Sequence, residues 1–574
     1  MKFKTFIGSV AVLLGLSMVS SCSSDFLNVQ PNGALSEEVL ATEDGIESLL
    51  IGTYAMLDGV SANGFGWESA ASNWVFGSIR GMEANKGTDA GDQPGINPIQ
   101  TFTEAPTNVY LNIKWRSCYE AISRANATLT VIARAEEEGT ITADQAASYR
   151  AQARALRGHY HFEAWRMWEQ VPYIDENTVQ DEVTNTADIS DLIIADLEAG
   201  TTLPNNMGQV GRFNGTVCKV ILAKALMQMK GDYAAAKTLL TDVVNNGTKP
   251  NGQAIGLQAK YGDIFDIESR NGIEAVYTVQ YSVNDGSGGW NGGWGEVLNF
   301  PYKGGGSPGG CCGFFQPTQE FVNSFRTSGG LPLLDNSYNN DPVVSDDGLA
   351  PGDPFTEDAG PLDPRLDWTV GRRGIPYLDW GDHTGSDWIR DQSYAGPYSP
   401  KKQVYKKSQE GTFTEVGNWT SGWTANGYRM IRYADVLLLL AECQIETGEL
   451  DAARANINRI RERAANPDGF VMEEDGVTPA ANYQISLYES AFANADEARA
   501  ALRMERKLEL GMEGHRFFDL NRWGIAAQEI RRILAYEAPL RPSLYAGAEF
   551  ADNDVLYPIP QRQLDLSPGL VQNR

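Results

Sequence analysis

The stretch YRMIRYADVLLLLAECQIETGELDAARANINRIRER, Tyr428 to Arg463, decides the fold. Tyr433, Leu437, Leu440 and Ala441 recur at i, i+4, i+7 and i+8, which sets them on one face of a helix. Gly448 breaks the pattern, and Ala453, Ile457, Ile460 and Ala464 restart it. A turn at Gly448-Glu449-Leu450 leaves the two helices antiparallel. Ala441, Ala452 and Ala453 are small enough to let their backbones approach closely. This is a tetratricopeptide-type helix pair, which cannot bury its apolar stripe alone and needs neighbours.

A second pair lies upstream, in VILAKALMQMKGDYAAAKTLLTDVV, Val220 to Val244. Its Gly231-Asp232-Tyr233 turn, followed by Ala235-Ala236, matches Gly448-Glu449-Leu450 followed by Ala452-Ala453. Other helices are predicted over Ala41 to Leu57, Val109 to Glu138, Thr142 to Trp168 and about Asp188 to Leu197. Thr142 is placed to cap the third of these. Regular helices resume at Tyr428 and continue past Arg531. The fold class is therefore all-α, with helix pairs as a scaffold and few strands.

Between about 271 and 427 the composition changes. Glu274 to Tyr281 (EAVYTVQY) reads as a strand. Beyond it Gly, Pro, Asp and Trp dominate, and seven of the 13 Trp residues fall between Trp290 and Trp423. Large aromatics on Gly-rich loops are poor core builders but are well suited to presenting ring faces. We read a helical scaffold over about 40–270 and 428–574, with 271–427 as a loop-rich insertion in a single domain, 22–574.

The first 21 residues read as a lipoprotein signal peptide. Lys2 and Lys4 form a basic start, and Phe6 to Val19 is apolar but short for a bilayer span. Val19-Ser20-Ser21-Cys22 then has the form of a lipobox. Its cysteine is required because a thiolate attacks the diacylglycerol donor and leaves a stable thioether. Cys22 would become the first mature residue, and a lipid there would hang a globular protein from a membrane.

The 574-residue chain has a formal net charge of -27. That excludes a nucleic-acid binder of the usual kind, which neutralises phosphates with Lys and Arg. The four histidines, His159, His161, His383 and His515, form no H-E-x-x-H motif. There is no C-x-x-C, P-loop, dinucleotide fingerprint or G-x-S-x-G elbow. Carboxylates abound, yet nothing singles out a glycosidase pair. Asp335 to Asp347 is rich in Asp and Asn without the order of a calcium loop, so structural calcium stays a minor option and no cofactor is expected. Cys118, Cys218 and Cys443 read as small buried hydrophobes in helices. Cys311 and Cys312 are adjacent, and an exported setting favours a vicinal disulfide flanked by Gly309, Gly310 and Gly313.

Near the C-terminus, ALRMERKLELGMEGHRFFDLNRW (Ala501 to Trp523) crowds Glu505, Arg506, Glu509, Glu513, Arg516, Asp519 and Arg522 onto helical turns. By itself this reads as a charge-laced helix whose ions pair locally. Taken with Arg154-Ala155-Leu156-Arg157 through Val171-Pro172, Arg432-Tyr433-Ala434-Asp435 through Gly448, Tyr557 to Pro560 and Cys22, it resembles the SusD/RagB family of Bacteroidetes outer-membrane lipoproteins. The segments GGWNGGWG, CCGFFQP and LDPRLDWTVGRRGIPYLDWG look like one branch of that family.

The resemblance implies a surface-exposed protein, lipid-anchored in the outer membrane at Cys22. It implies a lid over a SusC-like TonB-dependent transporter that binds a glycan or other nutrient and catalyses nothing. A sugar ring has an apolar C–H face and a hydroxyl rim, so Trp would cover the face while Asn, Asp and Arg take the rim. The expected contacts are Trp67, Trp74, Trp290 and Trp294 as platforms and Asn63, Asp89 and Arg372 as polar partners, with Cys311, Cys312 and Tyr398 beside them. Trp115, Trp165 and Trp523, on helical faces, read as core. The alternatives are a binder of peptide or another non-sugar nutrient in the same lid role, and a surface glycoside hydrolase.

Overall fold

The computed structural model describes residues 37–61, 66–302, 306–417 and 419–574. The predicted signal segment with Cys22, and Asn63, lie outside the described residues. The main helices are α1 (Glu43–Ala55), α2 (Val109–Glu138), α3 (Ala143–Trp168), α4 (Ser190–Gly200) and α5 (Gly215–Ala225). They continue as α6 (Tyr233–Asn246), α7 (Tyr433–Glu446), α8 (Leu450–Ala464), α9 (Ala495–Leu510), α10 (Arg516–Arg522) and α11 (Ala526–Glu537). Strands are short and paired two by two. Among the described residues no helix is long and apolar enough to cross a membrane.

Local chemistry sets the helix ends. Thr142 accepts from Gln145 N, and the Gln145 side chain accepts from Thr142 N, a capping box that starts α3. Gly231 (φ 61°) and Gly448 (φ 84°) take the left-handed conformation that closes each repeat turn, where a Cβ would be strained. The two units so similar in sequence are also neighbours in space, because α6 packs on α7. The helix stack runs from α2 and α3 through α4, α5 and α6 to α7, α8 and α9. Its interior is apolar: Leu437, Leu438, Ala441, Ala453, Ile457 and Ile460 are all buried. Cys118, Cys218 and Cys443 are buried free thiols, as read from the sequence.

One element differs from the sequence reading. Tyr428–Arg432 is a strand, and α7 begins only at Tyr433. It pairs antiparallel with Ala275–Val279, matching Tyr428 with Val279 and Arg432 with Ala275. The loop-rich insertion therefore leaves the helical frame and returns to it at adjacent strands, and its two ends are clasped. A second pairing, of Ala84–Gly87 with Phe314–Pro317, ties the segment after α1 to the same insertion.

Buried charge completes the clasp, and its ions pair across the fold instead of along one helix. Arg432, at the end of its strand, meets Glu274 Oε1 at 2.7 Å, Glu509 Oε1 at 2.9 Å and Glu513 Oε2 at 2.7 Å. Arg463 on α8 reaches Glu274 and Glu509, and Arg461 reaches Glu505. From the insertion, Arg365 bonds Glu505 at 2.6 Å and Lys402 bonds Glu513 at 2.7 Å. Burial pushes the Glu513 carboxyl up, but Arg432 and Lys402 outweigh it and hold it at about 2. The insertion is thus fixed to the scaffold by ions that are almost wholly buried.

Candidate functional site

The insertion gathers aromatic rings at one place. Trp290 stacks on Trp294, with centroids 4.8 Å apart and planes 24° apart. Trp294 also meets Trp67 at 5.9 Å and Trp423 at 5.4 Å. Trp419 stands edge-on to Trp423 at 5.5 Å and to Trp67 at 6.4 Å. Three of the rings are buried, whereas Trp290 is 61% and Trp419 42% exposed. Two open rings thus rest on a base of three closed ones, a rigid apolar platform at the surface.

Glycines make this packing possible. A Cβ on Gly66 would stand 2.6 Å from the Trp294 Cβ, and one on Gly417 would overlap the Trp423 ring at 1.6 Å. The Trp290 loop is braced by Asp285, whose carboxylate accepts from Asn291 Nδ2 at 2.8 Å and from Ser287 N at 2.9 Å. These bonds, Asn291 first, hold its carboxyl below the usual range. The Trp294 indole N–H donates to Gly289 O at 2.9 Å.

The platform continues into the cysteine loop. Gly309 O accepts from Thr420 Oγ1 at 2.9 Å and from Ser421 N at 3.1 Å, which joins this loop to the one bearing Trp419 and Trp423. Cys311 and Cys312 form a disulfide, as the sequence suggested. On the far side Gly313 O accepts from Thr88 N, next to Asp89. Asp89 Oδ2 meets Arg390 Nη2 at 2.8 Å, Asp92 meets Arg390 Nη1 at 2.7 Å, and the Arg390 guanidinium lies 5.2 Å from the Tyr302 ring centroid. One hydrogen-bonded run thus carries the tryptophan platform, the disulfide, Asp89, Arg390 and Tyr302.

Of the expected contacts, Trp67, Trp290, Trp294, Asp89, Cys311 and Cys312 come together here, but of the three expected platforms among them only Trp290 presents its ring, Trp67 and Trp294 being buried beneath it. Three others are corrected, because each is spent inside the fold. Trp74 is buried against Phe314 and Phe315, with its indole N–H on Gly295 O at 2.9 Å. Arg372 is buried in a two-point pair with Asp367. Tyr398 is buried and donates to Gln319 Oε1 at 3.0 Å. Trp115 is core, as expected, whereas Trp165 and Trp523 are only half-buried. The sequence reading missed Trp419, Trp423, Tyr302 and Arg390, although GNWTSGWTANG was visible as a Trp-bearing polar loop. Among the described residues no group of three or more His, Cys, Asp or Glu side chains is arranged to hold a metal ion.

Fold and face together define a helical-repeat scaffold that presents an aromatic contact surface. A model of the SusD family matches residues 273–574, and a second, described as starch-binding and associating with the outer membrane, matches residues 25–259. The chain belongs to the SusD family. It is 23% identical over 589 residues to SusD-like protein P38 of Formosa agariphila, covering 100% of this chain and 99% of that one. A SusD homolog from Bacteroides thetaiotaomicron superposes with a TM-score of 0.66 at 20% identity, over 94% of this chain and 99% of its own. A laminarin-binding SusD-like protein gives 0.63 at 21%, over 93% and 99%. Surface glycan-binding protein A from Bacteroides thetaiotaomicron, in complex with laminarihexaose, gives 0.63 at 20%, over 93% and 99%.

Proposed function

We propose that this protein captures an oligosaccharide or polysaccharide at the cell surface and passes it, as a lid, to a SusC-like TonB-dependent outer-membrane transporter. The observation that carries the reading is the pair of exposed rings, Trp290 and Trp419, on a buried tryptophan base. Pyranose C–H faces pack on such rings, while Asp89 and Arg390 at the edge of the face suit the hydroxyl rim. The structural likeness to laminarin-binding and laminarihexaose-bound proteins supports a glycan, and makes laminarin the first ligand to try. Anchoring by lipid at Cys22 and exposure at the outer membrane belong to the same proposal.

Binding without turnover is part of it. A glycosidase needs two carboxyls facing the sugar. Here Asp89 and Asp92 are tied to Arg390, Asp285 is tied to its own loop, and Glu296, two residues after Trp294, is buried. The test is isothermal titration of the purified protein against a polysaccharide panel that includes laminarin, with the recovered glycan sized afterwards. Saturable binding with the glycan intact supports the reading. Binding of no polysaccharide, with response to a peptide mixture instead, overturns it in favour of a peptide nutrient.

A further inference from the structure

Helices α9, α10 and α11 enclose a second pocket of about 210 Å³ against the loop that carries Asn336 and Tyr338. It shares no residue with the tryptophan face. In a chain of net charge -27, three of its lining side chains are cations, Arg503, Lys507 and Arg516, against one acid, Glu529.

The acids nearby are already taken. Glu529 serves Arg516 at 3.2 Å and Arg532 at 2.8 Å. Glu320 serves Lys507 at 2.8 Å and Arg532 at 2.6 Å, and also accepts from the Tyr338 hydroxyl. Three cations, Lys507, Arg516 and Arg532, thus share two carboxylates. Arg522, close behind, is neutralised by Glu442 and Asp519.

Donors remain unpaired. Arg516 is only 7% exposed, yet its Nε has no acceptor among the described residues. The Trp523 indole N–H likewise has none. Arg503 makes no salt bridge or hydrogen bond there, Glu442 and Glu446 acting on it only from a distance, and its guanidinium lies 5.3 Å from the Trp523 ring centroid. A buried N–H normally finds an acceptor, so the Arg516 Nε–H and the Trp523 indole N–H, on residues that line one pocket with Arg503, mark a place for an acceptor from outside.

We propose that this pocket binds a small oxyanion group, a sulfate, phosphate or carboxylate, held by Arg503, Lys507, the Arg516 Nε–H and the Trp523 indole N–H. The Trp523 ring supplies an apolar wall for whatever bears the anion. Burial holds both Arg503 and Lys507 below their ordinary ranges, and a bound anion would relieve that. The same chemistry has two sources, a free inorganic anion or an acidic sugar.

The test titrates the full mature chain at low ionic strength with inorganic sulfate, inorganic phosphate, glucuronate and, as neutral control, glucose. Binding is followed by calorimetry and by the rise in Tm. The expected result is saturable one-to-one binding of at least one anion and none of glucose. Arg503→Met should weaken it by about tenfold or more, as should Trp523→Phe, which keeps an aromatic wall, though a smaller one, and deletes the donor. Arg503 is half-exposed, so its variant should fold, and unchanged circular dichroism checks this. Binding of glucuronate alone assigns the site to acidic sugars, and binding of sulfate or phosphate assigns it to a free anion. No saturable binding of any anion, equal binding of glucose, or affinity untouched in both variants overturns the proposal.

Discussion

The Trp290 ring rests on the Trp294 ring at 4.8 Å between centroids, one exposed and the other buried. The two should therefore fail differently when truncated. Trp290→Ala removes a ring that holds up little else. It should weaken glycan binding by about tenfold or more and change stability by no more than about 0.5 kcal/mol. Trp294→Ala empties the base of the platform and should cost about 3–5 kcal/mol, measured by urea unfolding. Unchanged affinity in Trp290→Ala would show that the exposed ring is not the platform.

Gly417 gives a test that leaves every ring in the sequence. A methyl at this position would lie 1.6 Å from the Trp423 ring, so the ring must move. Gly417→Ala should cost about 1–3 kcal/mol through overpacking. It should also weaken glycan binding, because Trp419 leans on Trp423. Tryptophan fluorescence would report the displaced ring. An unaltered spectrum together with full affinity would mean that the packing under Trp419 does not matter for recognition.

The clasp of the insertion makes Arg432 a stability residue. It is buried and bonds three carboxylates, from Glu274, Glu509 and Glu513. Arg432→Met leaves those buried acids one cation short, with only Arg463, Arg365 and Lys402 to share, and should cost about 3–5 kcal/mol. Because the clasp joins scaffold to insertion, limited proteolysis of the variant should cut first within 271–427. Loss of stability with uniform cleavage along the chain would show that Arg432 serves the helical core alone.

The legible part of the molecule was the part with a period. Leu437, Leu440 and Ile457 repeat at helical spacing, and Thr142 with Gln145 spells its cap, so frame and boundaries could be read locally. Tyr428–Arg432 misled because its partner, Ala275–Val279, lies far away in the chain, and a five-residue segment without Gly or Pro that runs straight into a helix looks like more helix. Trp290 and Trp294 were legible as Trp on glycine loops. Trp74 was not separable from them, since its core partners Gly295, Phe314 and Phe315 come from the insertion. Arg372 was separable from the ligand face, because Asp367 stands only five residues before it and takes its guanidinium.

Glu537, at the end of α11, makes stability depend on pH. It is 1% exposed, and its carboxylate accepts from Glu320 N at 2.6 Å. Burial pushes its carboxyl up to about 7, against the help of that one hydrogen bond. The folded value then lies above the unfolded one of about 4.3. The protonated form is favoured in the fold, so its contribution is complete below about pH 4.3, is lost as pH rises through about 7, and is level beyond that. Glu537→Gln keeps an acceptor for Glu320 N and deletes the ionisation. Urea unfolding of both proteins between about pH 5 and 8 should show a gap that widens with pH, the variant gaining on the order of 1–3 kcal/mol at the alkaline end. Parallel profiles would mean that Glu537 ionises in the fold as easily as it does in water.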